Sequence, residues 1–192
     1  MRALAIDQGT TSTRALVVDE AGVTTVLSVE HRQLYPAPDH VEHDPEELIA
    51  NLTACLEAAP EVDCVGLDNQ GESCLAWDAQ TGRAITPVIV WQDGRTTQMC
   101  ERLKADGAEA LTLSKAGLPL DPYFSASKLG WIMVHVPEAR ELLRSGKLRL
   151  GTTDAFFRDR LTGSFATDPS TASRTSLLDL ETGTWDPELC AL

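Results

Sequence analysis

The order of apolar and polar runs predicts an α/β fold that opens β-β-β-α-β. Three observations carry that expectation: two short apolar runs joined by a polar bend at the N-terminus, an amphipathic helix with a start signal at Asp44, and an apolar strand, "VDCVGL", soon after it.

The first two strands are expected over 4–6 and 15–18, with Asp7, Gly9, Thr10, Thr11, Ser12 and Arg14 gathered at the bend between them. A third strand, "TTVLSVEH", follows a turn at Asp19-Glu20-Ala21-Gly22. The helix is expected over about 45–59. Asp44 stands at its N-cap, Pro45 at the first helical position and Glu47 at the third, and Leu48, Ile49, Leu52, Cys55 and Leu56 share one face. "VDCVGLDNQGES" then reads as a buried strand ending in a polar loop. A second hairpin spans 74–91, turning at "DAQTG" and ending in "VIVWQDGRT". Helices are expected near 95–104, 108–115, 125–135, 138–143 and 154–161, the last followed by Gly163, and "SLLDLETGTW" reads as a strand and turn. No repeat, low-complexity stretch or linker interrupts this order.

Composition narrows the partners. The chain has 192 residues, 43% of them hydrophobic, enough to bury one substantial core. Sixteen basic residues against 29 acidic give a net charge of −13, which argues against nucleic acid or an anionic membrane as a partner. No apolar run approaches the roughly eighteen residues of a membrane span, and "MRALAIDQGT" lacks the apolar core of a signal peptide, so a cytoplasmic protein is expected. Cys55, Cys64, Cys74, Cys100 and Cys190 are odd in number and form no Cys-x-x-Cys pair, which suits reduced, structural thiols. "DHVEHD" at 39–44 has a metal-like composition in His40 and His43, but the same residues lead into the helix start.

The bend at Gly9 admits two readings. Its backbone N–H groups and hydroxyls suit an anion, as in the nests that cradle phosphates, and they equally suit an ordinary Thr-rich turn. Neither a Walker-type phosphate loop nor a protein-kinase signature occurs elsewhere.

Asp7 at the end of a first strand with a hydroxyl-rich hairpin behind it resembles the actin-like ATPase (ribonuclease H-like) fold. Within that order, "DQGTTSTRA", "NQGES", "WQDGRT", "GLPLDPYFSASKLGW" and "STASRTSLLDLETGTWD" resemble the N-terminal part of the glycerol kinases in the FGGY carbohydrate kinase family. The resemblance runs nearly the whole chain, over about 3–189, as one N-terminal substrate-binding domain.

The resemblance implies that Gly9, Thr10, Thr11 and Ser12 hold ATP phosphates, that Arg14 neutralises charge on the transferred group, and that Asp7 faces a Mg²⁺-bound water. It implies a polyol or sugar acceptor held by Glu72, Trp91, Tyr123 and Gln70: a carboxylate for hydroxyl protons, an indole against the carbons and a phenol for a further contact. Taken singly, Trp91 and Tyr123 read equally well as core aromatics and Glu72 as a loop acid. Trp77, Trp131 and Trp185 are assigned to packing. A homo-oligomer is compatible with this reading.

Two departures qualify it. Gly71 stands where the family's glycerol kinases carry an arginine, and Gly94 and Gly130 stand where a long basic residue is usual. The family's general base lies in a Gly-Asp-Gln motif that this sequence lacks, as does the second ATP-binding domain, so no catalytic base is assigned here and the chain reads as part of a two-domain kinase. The expected function is ATP-dependent phosphorylation of a polyol, glycerol first, with another FGGY sugar kinase or a noncatalytic polyol-binding module as alternatives.

Overall fold

The computed structural model describes all 192 residues, as two compact units. Unit 1 comprises residues 1–34 and 43–70, and unit 2 comprises 35–42 and 71–192.

Unit 1 is a four-stranded sheet with one helix. Strands β1 (Ala3–Gln8), β2 (Ser12–Asp19) and β3 (Gly22–Glu30) form an antiparallel meander. The two-residue strand β4 (Glu42–His43) straddles the sequence boundary of the units; helix α1 (Pro45–Ala58) follows, then strand β5 (Cys64–Asn69), which lies parallel to β1. The strand order is β3-β2-β1-β5. This is the β-β-β-α-β order expected from the apolar runs.

Local chemistry accounts for the elements. At the β2–β3 turn, Asp19 Oδ1 accepts from the Ala21 N–H at 2.9 Å, and Gly22 takes φ 126°, a value that carries no strain only in glycine. Asp44 caps α1, its Oδ1 accepting from the Glu46 N–H at 2.9 Å, with Pro45 in the first turn where a missing N–H costs nothing. Alternation along β1 and β2 sends Leu4, Ile6, Ala15 and Val17 to one face, where Leu48, Leu52 and Cys55 of α1 are buried. At about 25 cal/mol per Å² of apolar surface, that face is the main source of unit 1's stability.

Strand β5 departs from expectation. Its apolar run suggests a buried strand, but it is the edge strand of its sheet, with Val65 52% exposed and Leu67 also exposed. A continuous apolar run looks the same whether its two faces are covered or bare, so periodicity alone could not separate the cases.

Unit 2 is built around a second sheet and its helices. Strands β6 (Cys74–Asp78) and β7 (Val88–Ile89) form the expected second hairpin, followed by helices α2 (Thr97–Ala105), α3 (Glu109–Lys115), α4 (Ser125–His135) and α5 (Pro137–Arg144). Strand β8 (Leu148–Thr152) pairs antiparallel with β6, and helix α6 (Thr153–Thr162) ends at Gly163 in the left-handed conformation, φ 74°. Helix α7 (Pro169–Ser173), the two-residue strands β9 (Leu178–Asp179) and β10 (Thr184–Trp185), and helix α8 (Pro187–Ala191) complete the chain. The sheet order is β4-β7-β6-β8.

Strand β8 and the short helices α7 and α8 were not anticipated. "LRLGT" is too short and too polar to announce itself, and it becomes a strand because β6 offers it a register from Cys74↔Thr152 to Asp78↔Leu148. The core of unit 2 holds Cys74, Leu75, Ala76, Trp77, Val88, Ile89, Ile132, Phe156 and Phe157. Trp77 is fully buried, edge-on to Phe156 at 5.2 Å, and its indole N–H donates to Asp159 Oδ2 at 2.7 Å. No helix is long and apolar enough to cross a membrane.

Candidate functional site

The phosphate-type hairpin lies in unit 1. The Gly9 N–H donates to the Ser12 carbonyl at 3.0 Å, closing a tight bend with Thr10 and Thr11 at its tip. A Cβ on Gly9 would stand 3.4 Å from that carbonyl oxygen and 3.8 Å from Asp7 Oδ1, so the bend packs closely around this position. Arg14 lies across from Asp7 in the β1–β2 register, Nη2 to Oδ2 at 3.3 Å, and both side chains are well exposed. Asp68 of β5 stands at the same register on the other side of Asp7.

His31 braces the bend from within. Its backbone N–H donates to the Thr11 carbonyl at 3.2 Å and its Nε2 donates to the Thr10 carbonyl at 2.9 Å. Behind it His43 is fully buried, its ring 4.7 Å from that of His31. The Gln70 amide donates to His43 Nδ1 at 3.1 Å and lies 3.5 Å from Gln8 Oε1. Burial pulls the His43 imidazole down to about 4, with the neighbouring His31 adding to the effect, and burial lowers His31 as well. Both rings are therefore neutral at physiological pH.

The acceptor-type cluster lies in unit 2. Glu72 is buried, its carboxylate 7% exposed, and Oε1 accepts from Arg174 Nε at 2.7 Å. The Ser125 hydroxyl donates to the Glu72 carbonyl at 3.0 Å, and the Trp91 backbone N–H donates to Ser73 Oγ at 3.1 Å. The Trp91 and Tyr123 rings meet at 5.3 Å, and Tyr123 meets Phe124 at 5.3 Å. Lys128, buried in α4, donates from Nζ to the carbonyls of Pro122, Tyr123 and Phe124 at 2.7, 2.7 and 3.0 Å. It fixes the backbone that carries Tyr123, although burial pushes its pKa below the ordinary lysine value.

The "WQDGRT" turn is held by a buried ion network. Arg95, with its side chain 3% exposed, donates to Asp93 Oδ1 at 2.8 Å and Glu42 Oε1 at 2.6 Å, and lies 4.7 Å from the Trp131 ring centroid. Asp93 Oδ2 accepts from the Val41 N–H at 2.6 Å. Arg95 is thereby committed to holding the turn that ends in Trp91.

The structure thus brings Glu72, Trp91 and Tyr123 into one unit and Asp7, Gly9, Thr10, Thr11, Ser12 and Arg14 onto one hairpin. Gln70 lies in unit 1, its amide N–H donating to His43 Nδ1. Trp131 packs as expected, but Trp185 is 50% exposed, because β10 is a two-residue strand paired only with β9. The metal-like "DHVEHD" resolves into His43 in the unit 1 core and His40 edge-on to Trp131 in unit 2, and no group of three or more His, Cys, Asp or Glu is placed to hold a metal ion. Arg174 was missed. It stands 102 residues from Glu72, and no spacing rule connects the two.

Comparison with known proteins identifies the family. The model of the N-terminal domain of the FGGY family of carbohydrate kinases matches residues 2–192. A glycerol kinase of Rhodopseudomonas palustris is 46% identical over 98% of this chain and 40% of its own length. The solved Plasmodium falciparum glycerol kinase with ADP superposes with a TM-score of 0.89 at 30% identity, over 99% of this chain and 40% of that one. A xylulose kinase from Lactobacillus acidophilus shares the fold, with a TM-score of 0.86 at 21% identity over 99% of this chain and 39% of that one. The chain therefore spans about 40% of the length of the curated relatives it matches.

Proposed function

The chain belongs to the FGGY family of carbohydrate kinases, and from that membership we propose that it forms the N-terminal, acceptor-binding part of an ATP- and Mg²⁺-dependent kinase that phosphorylates a terminal hydroxyl of glycerol. The observation that carries the reading is the unit 2 cluster: a buried carboxylate, Glu72, with the Trp91–Tyr123 aromatic pair in a chain 46% identical to a glycerol kinase. A polyol needs an acceptor for its hydroxyl protons and an apolar wall for its carbons, and this cluster supplies both.

Bound ATP with Mg²⁺ would supply the phosphoryl group and neutralise its charge. The residues present fit that role. The Gly9–Ser12 bend would hold phosphate oxygens, kept in shape by His31, while Arg14 would stabilise negative charge and the exposed Asp7 carboxylate would face a metal-bound water. Arg14 and Asp7 are cross-strand neighbours, so an anion beside one and a cation beside the other would occupy adjacent positions. Gln70 stays with the acceptor residues in this reading, its amide N–H also donating to His43. Five unpaired cysteines suit the reducing, ATP-rich cytoplasm.

The test is a coupled phosphorylation assay of the complete gene product against glycerol, larger polyols and ketoses, with Glu72→Ala alongside. The expected result is turnover highest with glycerol and a KM for the acceptor raised far more than that for ATP. Equal effects on both would remove Glu72 from the acceptor site. Polyol binding without phosphorylation would leave the noncatalytic module, and turnover confined to a ketose would make the protein a sugar kinase.

A further inference from the structure

Arg174 follows the last residue of α7, and its side chain is the cation paired with Glu72. The pair is one-sided: the Glu72 carboxylate is 7% exposed and the Arg174 side chain 40% exposed. The contrast with Arg95 is informative. Arg95 is 3% exposed and gives its donors to Asp93 and Glu42, as a structural arginine does, whereas Arg174 engages Glu72 through Nε and keeps a large part of its surface open. Its guanidinium carbon lies 5.7 Å from the Tyr123 ring centroid and 5.0 Å from that of Phe124, which holds its plane beside the aromatic pair formed by Tyr123 and Trp91. Next to Glu72 in the chain, Gly71 has open space: a Cβ there would meet nothing within 4 Å.

A guanidinium carries five N–H donors and no acceptor, and an ionised carboxylate only accepts. Side by side they match a vicinal diol, in which one hydroxyl oxygen accepts from the cation and the neighbouring hydroxyl donates to the anion.

We propose that Arg174 is the hydrogen-bond donor of the acceptor pocket and that, together with Glu72, it selects substrates with two adjacent hydroxyl groups. The inference rests on the polyol kinase reading and deepens it. Arg174 orients the Glu72 carboxylate and presents its remaining N–H groups to the hydroxyl next to the one phosphorylated. A 1,3-diol lacks that second hydroxyl and forfeits the contact.

The experiment measures kcat/KM of the complete gene product for glycerol and for 1,3-propanediol, in the wild type, Arg174→Met and Arg174→Lys. Losing a charge-assisted hydrogen bond should raise the glycerol KM roughly ten- to a hundredfold in Arg174→Met, with the ATP KM unchanged. The decisive readout is the ratio of the two substrates. The preference of the wild type for glycerol should collapse toward equality in Arg174→Met, because the donor that read the extra hydroxyl is gone. Arg174→Lys keeps the charge beside Glu72 and should retain part of the preference, and it carries the test if the Met variant does not fold. A ratio unchanged in the folded variants would make Arg174 a purely structural partner of Glu72 and overturn the inference while leaving the kinase reading intact. A wild type inert toward every polyol would overturn the kinase reading and this inference with it.

Discussion

Acidification should loosen unit 1 through His43. The ring is fully buried and neutral, with Nδ1 accepting from Gln70, and burial lowers its pKa from 6.5 to about 4. Because the folded-state pKa is depressed, the stability it represents is fully present above the unfolded pKa of 6.5 and is lost as the pH falls toward 4. Linkage with these two values gives a loss of about 2 kcal/mol between about pH 7 and about pH 5, and about 3 kcal/mol once the folded ring is protonated. The window lies above the ordinary carboxylate range, so the acids contribute little to it. His31, also lowered by burial and drawn the other way by its bond to the Thr10 carbonyl and by Glu47, adds to the same trend. Hydrogen exchange of the Leu4 and Ile6 amides in β1, corrected for the intrinsic pH dependence, reads this locally: 2 kcal/mol is roughly a thirtyfold loss of protection. In His43→Asn, whose amide oxygen can take the place of Nδ1, the loss should shrink to the part carried by His31. Protection that is flat from about pH 7 to about pH 5 in the wild type, or an equal fall in His43→Asn, would refute the reasoning.

Three further outcomes follow from the geometry. Lys128→Met removes the ammonium that ties the Pro122, Tyr123 and Phe124 carbonyls; urea unfolding followed by tryptophan fluorescence should show unit 2 destabilised by about 2–4 kcal/mol. Trp77→Phe withdraws the indole N–H from Asp159 and leaves a gap beside Phe156 and Phe165; a loss of about 2–4 kcal/mol is expected from thermal unfolding, and a change of a few tenths would deny the bond its role. Gly71→Arg meets open space and should leave the melting temperature unchanged, and because Arg174 already supplies the donor, the ratio of kcat/KM for glycerol to that for larger polyols should change little. A ratio shifted strongly toward glycerol would mean that Arg174 leaves the donor position unfilled.

The sequence by itself determined what depends on near neighbours in the chain. The Asp44-Pro45 start of α1, the Asp19–Gly22 turn, the Gly9 bend and the Gly163 stop are legible because hydrogen bonds over two to four residues and the steric freedom of glycine do not wait for tertiary structure. The same holds for the β-β-β-α-β order of unit 1, which follows from apolar periodicity. The candidate site was legible only through motif resemblance, since nothing local says that Glu72, Trp91 and Tyr123 fall in one unit. Tertiary structure alone decided the rest. Whether β5 is covered depends on what packs on its faces, whether "LRLGT" is a strand depends on β6 offering an edge, and what the Gln70 amide N–H bonds depends on the neighbours it acquires. The Arg174–Glu72 pair is the limiting case. Its two charges are separated by 102 residues, and the free energy that joins them comes from the burial of everything between.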